Sequence, residues 1–125
     1  MDLLIDTNII VSNVHRESET HFETIRAVGI LKARGYRCCL VPQNLYEFWA
    51  VATRPKEKNG LGLTPVKAHS IIDNIGQLGE VLRDPPDLYD VWRRLVVAYN
   101  VSGKQSHDAR LVAAMTVHGI TTILT

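Results

Sequence analysis

The chain has 125 residues, of which 14 are Lys or Arg and 13 are Asp or Glu, so its formal net charge is +1. A domain of this size buries about two thirds of the surface of its unfolded chain, so a single core is stable without disulfides or a structural metal. The near-zero charge excludes a global basic field for nucleic acid or membranes, and 46% apolar content excludes a disordered chain. Any basic surface must therefore be local.

The two cysteines and the N-terminus indicate a reducing compartment. Cys38 and Cys39 are adjacent in an apolar run, and alternation along a strand would point them to opposite faces as small buried hydrophobes. Residues 1–8 lack the basic region and the long apolar stretch of a secretory signal, and no apolar run has the length of a membrane span. We therefore expect a cytoplasmic protein.

The first half of the chain predicts strand, helix, strand and helix. Residues 3–5 form a buried strand that the polar trio at residues 6–8 ends, and residues 36–41 form a second strand. Thr20 and Glu23 form a capping-box pattern that begins the first helix. The apolar positions expected on the buried faces of the two helices are Phe22, Ile25, Val28 and Leu31, then Leu45, Phe48, Trp49 and Ala52.

The second half predicts three more helices and two short strands. Thr64 before Pro65 begins a helix, Asp87 caps the next, and Ser106 or His107 caps the last, which runs to His118. Residues 81–82 predict an edge strand and residues 121–124 a final strand. The apolar positions expected on the buried faces of the first two of these helices are Ile71, Ile72, Ile75 and Leu78, then Leu88, Trp92, Leu95, Val96 and Tyr99. Such alternation is typical of an α/β fold in which helices flank a mostly parallel sheet.

Three acids lie where an open parallel sheet places its binding sites, beyond the carboxyl ends of the strands. Asp6 ends the first strand, Glu47 lies in the first turns of the helix after the second strand, and Asp108 lies in the first turn of the last helix. These residues are therefore the candidates for a polar site.

Each acid also has a purely structural explanation. Glu47 is the only charged residue in segment 45–53, where a buried carboxylate would need a partner or a metal, but it is equally explained as a solvent-facing residue. Asp108 complements a helix dipole, and an Asx-turn or a helix cap explains Asp6. None of the three is decisive alone.

Taken together, three segments resemble the signature blocks of the PIN-domain family, which includes the VapC-type toxins of bacteria. The segments are LLIDTNII at residues 3–10, VPQNLYEFWAVATRP at residues 41–55 and SHDARLVAAMTVHGITTILT at residues 106–125. Each block is short, but their order and spacing match across the whole chain. The resemblance implies a three-layer α/β/α sandwich that is PIN-like and Rossmann-like.

The resemblance also implies a function. The expected activity is Mg²⁺- or Mn²⁺-dependent hydrolysis of single-stranded RNA, with the metal held by Asp6, Glu47 and Asp108, and with Thr7 and Asn8 in supporting roles. Hard divalent cations prefer such carboxylate oxygens, and a bound cation can activate water for attack on phosphate. A toxin of this family would have an antitoxin protein as a partner and would form a homodimer.

Three further side chains near Asp108 can each have either a functional or a structural role. Lys104 and Arg110 are candidates for contacts with RNA phosphate, although both can belong to a solvated face and Arg110 can pair with an acid. His107 is a candidate general base, but a histidine beside a helix start is more often a cap.

Two rival functions remain open. A PIN-fold protein that has lost catalysis would serve as an RNA-binding or scaffold module, although retention of all three acids argues against it. A phosphotransfer receiver or phosphatase would need an acid pair after the first strand and a lysine that ends a late strand. Thr7 and Asn8 follow Asp6, and residues 121–125 contain no lysine.

The end of the chain carries one more expectation. Members of the family usually have a further acid in the loop after the final strand, whereas this sequence stops at Thr125. We therefore treat residues 1–125 as one nuclease domain whose natural polypeptide is expected to continue and to supply a fourth acid.

Overall fold

The computed structural model describes residues 1–125 and contains one all-parallel, four-stranded sheet in the order β3-β2-β1-β4. Leu3 of β1 lies opposite Cys38 of β2, and Leu4 lies opposite Ile123 of β4, so β1 is central. The strands are β1 (Asp2–Ile5), β2 (Arg37–Leu40), β3 (Glu80–Val81) and β4 (Ile123–Leu124). The parallel sheet expected from the alternating pattern is confirmed. Strands β2 and β4 are shorter than predicted, and β1 and β3 each begin one residue earlier.

Six α-helices connect and flank the strands. They are α1 (Thr7–Val14), α2 (His21–Ala33), α3 (Pro42–Thr53), α4 (Pro65–Asp73), α5 (Leu88–Ala98) and α6 (Gln105–His118). Single 3-10 turns follow α3 and α4, at Lys56–Lys58 and Ile75–Gln77. Thr64 caps α4 as predicted, because its hydroxyl accepts the backbone N–H of Lys67 at 3.2 Å. None of the six helices has the length and apolar character required to cross a lipid bilayer.

Alternation along the strands divides the core into two layers. Leu3 and Ile5 face one way and pack with residues of α1 to α4, whereas Leu4 faces the other way and packs with α5 and α6. Cys38 and Cys39 are both buried and free, and they belong to opposite layers as predicted. The helices thus cover both faces of the sheet, and the three-layer α/β/α sandwich is confirmed.

The strand order creates one point where the chain reverses direction across the sheet. The path runs outward from β1 to β2 and β3, and α5 and α6 then return it to β4, on the other side of β1. In open α/β sheets, ligands bind in the crevice beyond the carboxyl ends of the strands at such a switch point. Here that position lies at the ends of β1 and β4, beside Asp6 and Thr125.

Helix α1 was not predicted, and its presence moves the buried face of α2. No element was predicted between the polar trio at residues 6–8 and Thr20, but Thr7–Val14 is helical and packs on α2 and α3. On α2 the predicted face was wrong at Phe22 and Ile25, which are 80% and 45% exposed, whereas Val28 is buried as predicted. His21 and Thr24 are buried in addition.

Several predicted helix ends also differ. Helix α6 begins at Gln105, so Ser106 and His107 lie inside it and neither caps it. Thr20 and Asp87 precede α2 and α5 as predicted, but their side chains make no capping hydrogen bond. Tyr99, expected on the buried face of α5, is 75% exposed.

Candidate functional site

Asp6 joins the end of β1 to the start of α1. Its Oδ1 accepts the backbone N–H of Thr7 at 2.7 Å, and its Oδ2 accepts the hydroxyl of Thr125 at 2.9 Å. The carboxylate therefore caps α1 and also links the ends of β1 and β4 at the switch point. The capping role considered from sequence is present, but it leaves Asp6 half-buried at the mouth of the crevice.

Thr7 connects the first acid to the second. Its hydroxyl donates to Glu47 Oε1 at 2.8 Å, and it accepts the side-chain amide of Asn44 at 3.4 Å. Asn44 is fully buried, and its Oδ1 accepts the backbone N–H of Val41 at 3.0 Å, which closes the first turn of α3. A fixed chain of hydrogen bonds thus orients Glu47, which is exposed rather than buried.

Asp108 occupies a different environment. It lies in the first turn of α6, is exposed, and forms no hydrogen bond or ion pair with the chain. The turn itself is anchored, because Gln43 Nε2 donates to the carbonyl of His107 at 2.9 Å. Arg110 donates to Gln43 Oε1 at 3.5 Å and to Asp84 Oδ2 at 3.2 Å. The backbone that carries Asp108 is therefore held while its carboxylate stays free.

None of these three acids is neutralised by a cation of the chain. The ion pairs join Arg37 with Asp2 and Glu80, His69 with Asp73, and Arg110 with Asp84. Asp6 and Glu47 instead receive only neutral hydroxyl and amide donors. Their negative charge at the switch point is left for a cation from outside the chain.

The predicted metal ligands are only partly assembled. No group of three Asp, Glu, His or Cys side chains lies close enough together to hold a metal ion. The chain brings Asp6 and Glu47 to the same threonine, and it leaves Asp108 apart from them. The carboxylates of Asp6 and Glu47 are suitable ligands for Mg²⁺, since this ion is commonly held by one or two carboxylates together with waters. The pair at Thr7 is thus the part of the set that suits a hard divalent cation.

The supporting residues behave differently from one another. Asn8 is exposed, and its side chain makes no hydrogen bond. Lys104 directly precedes α6 and is also exposed, and it forms no ion pair. Arg110 is paired with an acid, which is the alternative considered for it from sequence. His107 is exposed and contributes its backbone carbonyl to the network.

Gln43 and Asn44 are site residues that sequence reasoning missed. Both are buried polar side chains in the first turn of α3, where they reach in two directions, Asn44 to Thr7 and Gln43 to the start of α6. Their signal in the sequence is a polar pair directly after Pro42, at the start of an otherwise apolar helix. Thr125, whose hydroxyl reaches Asp6, was considered only as the place where the sequence ends.

Comparison with known proteins places the fold but gives no close relative. No protein-family model matches the chain, and no curated protein is significantly similar to it in sequence. Among solved structures, VapBC2 from Rickettsia felis bound to a DNA fragment from its promoter matches with a TM-score of 0.66 at 15% identity, covering 100% of this chain and 87% of that chain.

Two further structures agree. VapC20 of Mycobacterium tuberculosis, described as a sarcin-ricin loop cleaving toxin, matches with a TM-score of 0.68 at 17% identity, covering 97% of this chain and 86% of that one. DNA-bound VapBC from Salmonella typhimurium matches with a TM-score of 0.63 at 15% identity, covering 98% and 84%. The chain therefore has the PIN-like fold of the VapC toxin structures.

Proposed function

We propose that this protein is a Mg²⁺- or Mn²⁺-dependent endoribonuclease that cleaves single-stranded RNA. The observation that carries the proposal is the pair of carboxylates, Asp6 and Glu47, that Thr7 joins at the switch point and that no cation of the chain neutralises. Adjacent carboxylates repel each other until a cation compensates their charge. Such a pair at the ligand-binding edge of an α/β sheet suits a metal-dependent hydrolase.

In this proposal the hydrogen bonds of Thr7 and Asn44 orient Glu47, and those of Gln43 position the start of α6. Thr7 fixes the direction of the Glu47 carboxylate, and buried Asn44 fixes Thr7. Gln43 holds the first turn of α6, which carries Asp108. Asp6 and Glu47 would hold the metal with waters completing its shell, and the exposed side chain of Asp108, which lies apart from them, would join the site through one of those waters. When bound, the cation supplies Lewis acidity toward the scissile phosphate and favours ionisation of the attacking water.

We further propose that the enzyme is the toxin of a toxin–antitoxin pair, acting in the cytoplasm as a homodimer. Support comes from the fold, since the similar structures are of VapC and VapBC proteins and one of them is described as a sarcin-ricin loop cleaving toxin. A protein partner that blocks the site would present Arg or Lys to the free carboxylates. A guanidinium can pair with a carboxylate through two parallel hydrogen bonds.

The activity is tested by incubating the pure protein with a mixed RNA pool in Mn²⁺, in Mg²⁺ or with a chelator, and mapping the new ends. Cleavage at defined positions that the chelator stops is the expected result. Glu57→Gln is a matched control for loss of one carboxylate, because Glu57 lies in the exposed turn after α3 and makes no hydrogen bond. The absence of cleavage under every metal condition would overturn the enzymatic assignment.

One observation supports the alternative, a PIN-fold module that binds RNA or serves as a scaffold without cleaving. The three acids do not form a compact group that could hold a metal ion. Such a module would bind RNA with the same affinity in metal and in chelator, and would leave the RNA intact. The same incubation, analysed by gel shift as well as by end mapping, distinguishes the two functions.

A further inference from the structure

A cleft of about 490 Å³ lies between the starts of α5 and α6, beside the turn that carries Asp108. Its volume is in the range of pockets that enclose a small organic molecule. The cleft is lined by two prolines, two aromatic rings and three ionisable side chains. These residues are Pro85, Pro86, Tyr89, Trp92, Asp84, His107 and Arg110. The cleft combines flat apolar surfaces with a few polar groups.

Two aromatic rings form a wall of this cleft. Tyr89 and Trp92 are one turn apart on α5, with ring centroids 6.1 Å apart and ring planes inclined by 31°. The indole N–H of Trp92 donates to the carbonyl of Ser106 at 2.8 Å, which fixes the ring against α6. Tyr89 is 62% exposed although it is a large aromatic side chain. A fixed ring beside an exposed one is a preformed surface for stacking.

The α6 side of the cleft carries two polar side chains, Arg110 and His107. Arg110 points its guanidinium to Asp84, so the acid in the cleft is already compensated and does not repel a phosphate chain. His107 lines the cleft and is followed directly by Asp108 in the sequence. A base held in the cleft would therefore lie against the first turn of α6, the same turn that carries Asp108.

We propose that this cleft is a base-binding subsite, in which one nucleobase of a single-stranded RNA stacks on Tyr89 and Trp92. Proteins bind unpaired bases by stacking them on aromatic side chains and on guanidinium planes. The subsite rests on the proposed RNA-cleaving function and deepens it, because it names the part of the substrate that is held against the first turn of α6. Since stacking tolerates any base and strengthens with ring area, the subsite favours purines.

Fluorescence of Trp92 reports occupancy without turnover. The chain has two tryptophans, so Trp49→Phe leaves Trp92 as the only one. With a chelator present to prevent cleavage, titration with single-stranded oligoadenylate is expected to quench Trp92. The same oligonucleotide with abasic residues is expected to leave the fluorescence unchanged. Equal quenching by both would overturn the subsite, since no base would then be in contact with the ring.

Substitution of Tyr89 tests the wall itself. In the Trp49→Phe background, Tyr89→Leu is expected to weaken oligoadenylate binding roughly 5- to 150-fold, from the usual worth of one stacked base. Tyr89→Phe keeps the ring and should bind like the parent, which controls for any change in folding. Tyr99→Leu, at the other end of α5 and 75% exposed, should also bind like the parent.

The outcomes separate this subsite from the proposed function. If the parent cleaves RNA and Tyr89→Leu binds as tightly as Tyr99→Leu, the cleft is not a base-binding site and the ribonuclease assignment stands. If the parent neither binds nor cleaves any RNA, the proposed function fails and the subsite fails with it. Selective weakening by Tyr89→Leu, with no change in Tyr89→Phe, supports the subsite.

Discussion

The two edges of the central sheet treat their carboxylates in opposite ways. At the amino edge, Arg37 begins β2 and bridges the first residues of its neighbouring strands, with Nη2 at 2.6 Å from Asp2 Oδ2 and Nη1 at 2.5 Å from Glu80 Oε2. At the carboxyl edge, Asp6 and Glu47 meet only the amide and hydroxyl groups of Thr7 and Thr125.

Ion pairing at the amino edge changes the pKa values of the groups that it joins. Hydrogen bonding to Arg37 holds the pKa of Asp2 below its usual range, and the same contact raises the pKa of Arg37. The amino edge is therefore complete within the chain and serves the fold. The carboxyl edge is ordered by neutral donors but keeps its negative charge, so it is suited to an external cation.

Removing charge at the carboxyl edge should have the largest effect. Asp6→Asn, Glu47→Gln and Asp108→Asn each remove a charge without changing volume, and each is expected to lower the rate of RNA cleavage about 1,000-fold or more, equivalent to several kcal/mol of transition-state stabilisation. The melting temperatures of Asp6→Asn and Glu47→Gln should hold or rise, because like charges no longer repel, and that of Asp108→Asn should hold, because its exposed side chain has no partner in the chain. Asp2→Asn at the amino edge should leave the cleavage rate unchanged.

Cleavage by any one carboxyl-edge variant at the parental rate would remove that residue from the site. A variant that is much less stable than the parent in chelator would indicate a structural role instead. Cleavage rates and thermal melts on the same preparations give both results.

Thr7→Val should break the connection between Asp6 and Glu47. The variant keeps the shape but leaves the buried amide of Asn44 without its acceptor, at an expected cost of about 1 to 3 kcal/mol in the free energy of unfolding. Cleavage should also fall, because Glu47 loses the hydroxyl that orients it. Thr7→Ser retains that hydroxyl and should be close to the parent in denaturant melts and in cleavage. If the two variants behave alike, the threonine does not organise the site.

Gln43→Met should have a smaller effect, confined to the turn that carries Asp108. It removes the hydrogen bonds to the His107 carbonyl and to Arg110, with an expected cost of about 1 kcal/mol. Gln77→Met is the control, because Gln77 is exposed, its side chain makes no hydrogen bond, and its replacement should change stability by less than about 0.5 kcal/mol. Equal unfolding free energies for both variants would show that Gln43 does not anchor α6.

The smallest effect should come from acid titration of the amino edge. Because the pKa of Asp2 is lowered in the folded state, its stabilising contribution is present above the unfolded value of about 3.9 and is lost as the pH falls through the folded value. Asp2→Asn should therefore be slightly less stable than the parent at about pH 7, and the difference should shrink as the pH falls below about 3.9 and through the folded value. A stability difference that persists in acid would contradict the ionic origin.

The sequence predicts the layers better than the contacts between helices. Alternation at Cys38 and Cys39 and the cap at Thr64 are local features, and the structure has both. Helix α1 was missed because Ile9, Ile10 and Val11 are β-branched and favour strands in isolation, and packing on α2 and α3 outweighs that preference. With α1 unknown, the burial of His21, whose Nδ1 lies 2.8 Å from the carbonyl of Ser12, could not be foreseen.

The same division applies to the site. The positions of Asp6, Glu47 and Asp108 at the ends of strands and starts of helices follow from the pattern of elements. Their connections do not, because Thr7 and Glu47 are 40 residues apart and Gln43 and His107 are 64 apart. Such contacts are set by how α1, α3 and α6 pack, which no local pattern contains.

The central claim is that the carboxyl edge is built for a divalent cation, and calorimetric titration with Mn²⁺ tests it most directly. We predict that the parent and Asp2→Asn bind Mn²⁺ with equal affinity, and that Asp6→Asn and Glu47→Gln bind it at least about tenfold more weakly, since affinity in an oxygen site depends on ligand charge. Equal Mn²⁺ affinity in all four proteins, or no binding to the parent, would contradict the claim.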